Sequence, residues 1–266
     1  MLLARGHSGL KWYEFPGLAA HPELRHGVFT RLGGVSGPEG RELSLAFNEI
    51  DPPENVATNL GRTEAALGLP RVAFVRQTHG AEILVVRPQD DYHPRSPEEA
   101  RPGYDALLAP VPGPALLIKV ADCQAVLLYD PVSRALALAH AGWRGSVQNI
   151  LGRVVAALAE TGVPPARLKA AISPSLGPCC AEFINHRAEL PPGFFPFMVR
   201  ENYFDFWAIS RNQLTAAGLK DENIETAGIC SRCSPEFYSY RRGDLWPRFG
   251  FLAGVVRPEE AGPCRP

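Results

Sequence analysis

Ala115-Leu116-Leu117-Ile118-Lys119-Val120-Ala121-Asp122-Cys123 opens the stretch that decides the fold. It continues through Ala125-Val126-Leu127-Leu128-Tyr129 to Leu136-Ala137-Leu138-Ala139-His140-Ala141-Gly142-Trp143-Arg144-Gly145. Three apolar runs of strand length, 115–120, 125–129 and 136–140, follow one another through short turns with no room for a helix between them. Further strand-like runs cover 27–30, 72–76, 83–87, 169–172 and 224–227. Strands joined by short turns point to a mixed sheet with helices packed on it, not to a doubly wound parallel sheet.

Helical periodicity is clearest over 146–160, where Val147, Ile150, Leu151, Val154, Val155 and Leu158 recur at three- and four-residue steps and Gly162 follows as a cap. A second helix is expected over 53–67, opening at Pro52-Pro53 and stopping at Gly68, and a third over 205–217, ending at Gly218. The Pro- and acid-rich stretch 87–102 reads as a long exposed loop that shapes a cleft, and 191–197 as a second irregular segment. No repeat or linker divides the chain, so the expected architecture is α+β, a single domain over 1–266.

Three strand ends carry metal-binding side chains: His79 in Gln77-Thr78-His79-Gly80, Cys123 after Ala121-Asp122, and His140 before its glycine turn. Taken singly, a turn histidine such as His79 is usually a surface residue and an apolar-flanked Cys123 is more often core. Their common placement at strand ends feeding turns shifts that balance. Two imidazoles and one thiolate suit a zinc ion that keeps one position open for water or substrate, whereas a closed structural site uses four ligands. Bound water would then ionise near neutral pH, and the ion could polarise a leaving group. Asp122 and Asp105 are the acid–base candidates beside it, Asp122 alternatively holding a histidine tautomer. Gly80 is expected to free the backbone at the first turn, and a helix starting near Ser146 offers, with Arg144, a place for phosphate. A lone C-x-x-C such as Cys230-Ser231-Arg232-Cys233 is a metal or redox signal, but no second one completes a four-thiolate set unless the fold brings Cys179 or Cys180 to Cys230; these cysteines are read as packing residues and Cys264 as incidental.

Composition excludes several classes. In 266 residues, 27 Lys and Arg against 28 Asp and Glu leave a net charge of −1, which favours neither nucleic acid nor an anionic membrane as partner. The longest apolar run is interrupted by Lys119 and Asp122, which rules it out as a membrane span. The first ten residues lack the apolar stretch of a signal peptide, and six cysteines are too few for a disulfide scaffold. A cytoplasmic location follows as the expectation.

These segments together resemble the laccase-domain family, also called polyphenol-oxidase-type or peptidoglycan-editing-factor proteins. The likeness runs from His26-Gly27-Val28-Phe29-Thr30-Arg31 with Gly33-Gly34-Val35-Ser36, through Asn48 and Asp51-Pro52-Pro53-Glu54-Asn55-Val56, to the three metal-bearing motifs. It closes with Ser173-Pro174-Ser175-Leu176-Gly177-Pro178-Cys179-Cys180, Cys230 and Phe237-Tyr238-Ser239-Tyr240-Arg241-Arg242. The resemblance implies a β-sandwich-like core flanked by helices. It also implies zinc held by His79, Cys123 and His140, and phosphorolysis of adenosine, inosine and S-methyl-5'-thioadenosine with adenosine deamination beside it. Three positions depart from the family pattern: Ala181 stands for a tyrosine, Asn59-Leu60 for an asparagine–arginine pair, and Ser231 for a threonine.

On this reading Arg31, Arg144 and Arg242 position phosphate and sugar. The catalytic set is His79, Cys123, His140, Asp122 and Arg144, with a purine nucleoside and phosphate as small-molecule partners. A monomer or small homo-oligomer is expected. The alternatives are a metal-free hydrolase with Cys123 as nucleophile, acting in peptidoglycan-precursor editing, and a copper-dependent polyphenol oxidase. Copper is disfavoured because His7, His21, His26, His79, His93, His140 and His186 include no H-x-H pair. The His-x-Glu and Pro-Cys-x-x-Cys signature of base deaminases is absent as well.

Overall fold

Along 115–140 every second side chain faces the same way, and the structure uses both faces. It is a computed structural model that describes residues 1–37, 39 and 42–256; Cys264 lies outside them. In chain order the strands begin β1 (Leu3–His7), β2 (Leu10–Glu14), β3 (Leu24–Phe29), β4 (Leu32–Ser36), β5 (Val72–Ala73), β6 (Ile83–Val85) and β7 (Ala106–Ala109). They continue as β8 (Ala115–Val120), β9 (Gln124–Tyr129), β10 (Leu136–Ala141), β11 (Lys169–Ile172), β12 (Met198–Arg200), β13 (Tyr203–Phe204), β14 (Ile224–Thr226) and β15 (Phe249–Val255). The helices are α1 (Pro16–Ala19), α2 (Pro53–Leu67), α3 (Trp143–Val147), α4 (Ile150–Glu160), α5 (His186–Glu189) and α6 (Phe206–Ala216).

Two six-stranded sheets form, in the orders β1-β2-β3-β15-β8-β5 and β14-β11-β9-β10-β7-β6. Both are mixed: β5 runs parallel to β8, β6 to β7 and β14 to β11, and the remaining pairs are antiparallel. Leu116, Ile118 and Val120 of β8, Leu127 and Tyr129 of β9, Leu136 and Leu138 of β10, and Phe249 and Phe251 of β15 fill the space between the sheets. The alternate residues Val126, Leu128, Ala137 and Ala139 meet α4 and α6 on the outside of the second sheet. Leu117 and Leu252 meet Leu60 and Leu67 of α2 on the outside of the first. A strand covered on both faces has no polar side, which is why these runs read as continuously apolar. Each leucine so buried contributes roughly 1.5–3 kcal/mol. The result is α+β, mixed sheets with flanking helices in a single domain.

The helix expected over 53–67 forms with those bounds and ends on Gly68 in the left-handed region, φ 63°. The one expected over 146–160 is broken. Asn149 adopts φ 55° and its side chain accepts from the Gly152 N–H, so a five-residue α3 precedes a separate α4. An asparagine side chain that can cap the next turn competes with helix continuation. The strand expected over 72–76 keeps only its first two residues in the sheet, and 83–87 only its first three.

Candidate metal centre and its surroundings

The chain changes sheets at one end of the sandwich, and the candidate metal-binding side chains are found there. Residues 121–123 carry it from β8 in the first sheet to β9 in the second, and 74–82 make the same crossing from β5 to β6. Cys123 lies on the first crossing and His79 on the second, while His140 occupies the last turn of β10, opposite Ala125. The ligand atoms of His79, Cys123 and His140 all lie within 4.8 Å of one another. The two imidazoles stand edge-to-face, ring centroids 4.8 Å apart.

Asp105 builds this arrangement. Fully buried, it accepts from the His140 ring nitrogen Nδ1 at 2.7 Å, from the His79 N–H at 2.9 Å, from the Gly80 N–H at 2.7 Å, and from both the N–H and the hydroxyl of Thr78 at 3.1 Å. One carboxylate therefore fixes the backbone of the second crossing and leaves the His140 Nε2 free for a ligand role. The left-handed residue of that turn is His79 itself, φ 62°, and not Gly80. Asp122 is likewise left-handed, φ 84°. Such backbone in non-glycine residues costs free energy and gathers at functional sites.

The charges reinforce one another. Burial would raise the Asp105 carboxyl, but His140 and the Gly80 and Thr78 N–H groups hold it at about 2. Burial opposes a charged His140, yet the Cys123 sulfur and Asp105 raise it to about 9. Burial would also raise the Cys123 thiol, and the neighbouring imidazoles bring it down to about 6. A sulfur held as thiolate between two imidazoles is a ligand set fit for zinc. Gly142 closes the site from above: a Cβ there would stand 3.0 Å from the Cys123 Sγ and 3.2 Å from the His79 ring.

Asp122 does not hold a histidine. Its Oδ1 accepts from the Ser231 hydroxyl at 2.7 Å and its Oδ2 from the Arg241 N–H at 2.7 Å, so it ties the Cys123 turn to two later loops. The tautomer-holding role expected of it belongs to Asp105. Arg31 pairs with Glu42 and Asp244 and lies over the Tyr238 ring. Arg242 donates to the carbonyls of Ser231, Arg232, Ser234 and Phe237 and to Asp244. Both guanidiniums are thus engaged within the protein. Arg144 is exposed on α3, stacks on Trp143 and forms no ion pair among the described residues. The long helix whose start was expected to meet phosphate is instead the single short turn of α3.

Sequence reasoning missed two features here. Arg248, which feels the charges of Cys123 and Asp122, donates among the described residues to the carbonyls of Leu245 and Pro247 and, through its N–H, to Ser44. A cavity of about 300 Å³ is lined by Trp143, Phe183, Glu182 and Arg241 among others, and Trp143 and Arg241 tie it to the Gly142 turn and to Asp122. Only contacts across the fold reveal either one. Among the described residues, no helix is long and apolar enough to cross a membrane.

The profile of the family described as "Multi-copper polyphenol oxidoreductase laccase" matches residues 25–257, and the chain belongs to that family. It is 33% identical over 262 residues to a Deinococcus radiodurans protein named purine nucleoside phosphorylase, covering 91% of this chain and 93% of that one. A Xylella fastidiosa protein of the same name is 33% identical over 263 residues, with 92% and 95% covered. The crystal structure of YlmD from Geobacillus stearothermophilus superposes with a TM-score of 0.85 at 27% identity, covering 97% of this chain and all of that one. The family implies a metal, and the His79, Cys123 and His140 donors are a set that could hold one.

Proposed function

We propose that this chain is a zinc-dependent purine nucleoside phosphorylase, converting adenosine, inosine or S-methyl-5'-thioadenosine and phosphate to the free base and a ribose 1-phosphate, with adenosine deamination as a side activity. The observation that carries this reading is the three-donor cluster held by Asp105. Zinc bound by His79, Cys123 and His140 supplies Lewis acidity at an open coordination position. Trp143, half-buried at the cavity wall, offers an aromatic surface against which a purine packs. Glu182 at the same wall can accept from a purine amine. Arg144, exposed and in no ion pair among the described residues, binds phosphate, with Arg248, which feels the charge of Cys123, as a second cation. Arg31 and Arg242 hold the loops in place instead, and Asp122 is a positioning residue. The names of the relatives support the activity class.

The test is base release from each nucleoside by the metal-loaded protein with and without inorganic phosphate, beside Cys123→Ala. Phosphate-dependent release that is lost in the variant supports the proposal. Absence of turnover with phosphate present would refute it, and inosine formed from adenosine without phosphate would isolate the deaminase. The Cys123, His140 and Asp105 alignment favours one second reading, a metal-free cysteine hydrolase acting on peptidoglycan precursors. An activity that survives chelation and is blocked by iodoacetamide would select it. Stoichiometric copper with a blue absorption band would select the oxidase.

A further inference from the structure

Cys179, Cys180, Cys230 and Cys233 do not pack as ordinary core residues. Cys179 and Cys233 are exposed, while Cys180 and Cys230 are buried, and all four Sγ atoms lie within 4.8 Å of one another. The Cys179–Cys233 and Cys180–Cys233 sulfur separations are 3.8 and 3.5 Å. A disulfide would require about 2.05 Å. A tetrahedral ion with zinc–sulfur bonds of about 2.3 Å places its sulfurs about 3.8 Å apart. These two spacings are those of an edge of a coordination tetrahedron and not of covalent bonds.

The backbone around the cluster is shaped to present it. Cys230 and Cys233 are separated by two residues on one turn, closed by the Ser234 N–H donating to the Cys230 carbonyl at 2.9 Å. The second turn, 177–180, is closed by the Cys180 N–H donating to the Gly177 carbonyl at 2.9 Å. The Gly177 N–H then donates across to the Cys230 Sγ at 3.3 Å, the kind of outer contact that steadies a thiolate ligand. A Cβ at Gly177 would stand 3.0 Å from the Cys230 Cβ and 2.9 Å from the Trp207 ring, so this close approach needs glycine. Four thiolates around a divalent ion leave a net charge of −2. Arg232 reaches the Cys180 Sγ at 3.7 Å and Arg200 the Cys179 carbonyl at 3.1 Å, which offsets part of it.

We propose that these four cysteines form a second metal site, a closed four-thiolate zinc site that clips the turn 177–180 to the turn 230–233. Its role is structural, because a tetrahedron of protein ligands leaves no position for substrate. It bears on the first site through Ser231, which lies between the two ligating cysteines and donates to Asp122, the neighbour of Cys123. Clipping the turn fixes that hydroxyl, and through it the crossing that presents the thiolate of the first centre.

The test is metal counting on protein purified under reducing conditions without chelator, then loaded with zinc and freed of excess. Wild type should hold two zinc ions per chain, Cys123→Ala one, and Cys230→Ser/Cys233→Ser one. Because the double variant could fail to fold, Cys123→Ala refilled with cobalt(II) is the second measurement. It should show the sulfur-to-cobalt charge-transfer and visible bands of a tetrahedral all-thiolate site. In the same protein the exposed thiols Cys179 and Cys233 should resist iodoacetamide until zinc is chelated. One zinc in wild type and none in Cys123→Ala would overturn the proposal. So would free alkylation of Cys179 and Cys233 at saturating zinc, or an intact mass showing disulfides among these four residues.

Discussion

Replacing Asp105 by asparagine tests the construction of the first centre. The carboxylate accepts five hydrogen bonds, three at Oδ2 from Thr78 and Gly80 and two at Oδ1 from His79 and His140. An asparagine has one acceptor oxygen. Placed at the Oδ1 position, it keeps His140 but turns its NH₂ toward the Thr78 and Gly80 N–H groups. Placed at Oδ2, it turns the NH₂ toward His79 and His140. Either way two N–H donors lose an anionic partner. At the low end of about 1.5 kcal/mol for each bond to a charged group, Asp105→Asn should destabilise the metal-free protein by about 3 kcal/mol. Loss of a partner behind a histidine ligand should weaken zinc binding by about 10–100-fold. Urea denaturation of the chelated protein reads the first quantity, and competition with a chromogenic chelator the second. Asp122→Asn is the control: it loses contacts to Ser231 and Arg241, neither of them a ligand, and should keep metal affinity close to wild type. Equal zinc affinity in Asp105→Asn and wild type, or a larger loss in Asp122→Asn, would refute this account of the site.

Other perturbations separate the remaining arguments. Gly142→Ala has an allowed backbone, φ −79° and ψ 171°, yet its methyl would press on the Cys123 Sγ and the His79 ring, so zinc affinity measured by chelator competition should fall by on the order of tenfold with little change in melting temperature. Arg144→Ala should raise the KM for phosphate about tenfold with kcat and melting temperature nearly unchanged, since the exposed guanidinium pairs with no acid among the described residues. His26 is buried, and its Nε2 accepts from the Phe15 N–H at 2.9 Å; burial lowers it to about 4. A depressed folded value means this stability is complete above the unfolded pKa of about 6.5 and is lost as pH falls toward 4, amounting to about 2 kcal/mol by pH 5. His26→Gln keeps an acceptor and cannot titrate, so denaturant melts at pH 7 and pH 5 should differ less for it than for wild type.

How much of this was legible in the sequence depends on where the physical constraint acts. β8, β9, β10 and β11 lie within a residue of the runs that announced them, because a strand apolar on both faces cannot be mistaken for solvent-facing chain. The helix over 53–67 was fixed by its own Pro and Gly punctuation. β15, at the centre of the first sheet, was passed over, and its glycines are the reason. Gly250 and Gly254 look like strand breakers, but a Cβ at Gly250 would stand 2.6 Å from Leu45 and 2.7 Å from Leu117, and one at Gly254 2.8 Å from Leu69. Their smallness answers a packing demand made by distant residues. The three metal-binding side chains were nominated by their strand ends, but nothing local distinguished Asp105 from Asp122 or gathered the four cysteines.

The common cause lies in the crossings between sheets. A strand in a ladder satisfies its own backbone groups, but a chain leaving one sheet for the other has N–H groups with no neighbouring strand to receive them. At 78–80 those groups converge on Asp105, and at 241 the N–H falls to Asp122. A buried carboxylate accepting several N–H bonds stays ionised, and an ionised carboxylate can orient an imidazole. The backbone demand of the crossing thus supplies the anion that orients the His140 imidazole. The connection from β14 to β15 makes the same passage and carries Cys230, Cys233 and Arg241. The chemistry gathers at this end because the hydrogen bonds that the fold leaves unmade there require charged and polar side chains to complete it.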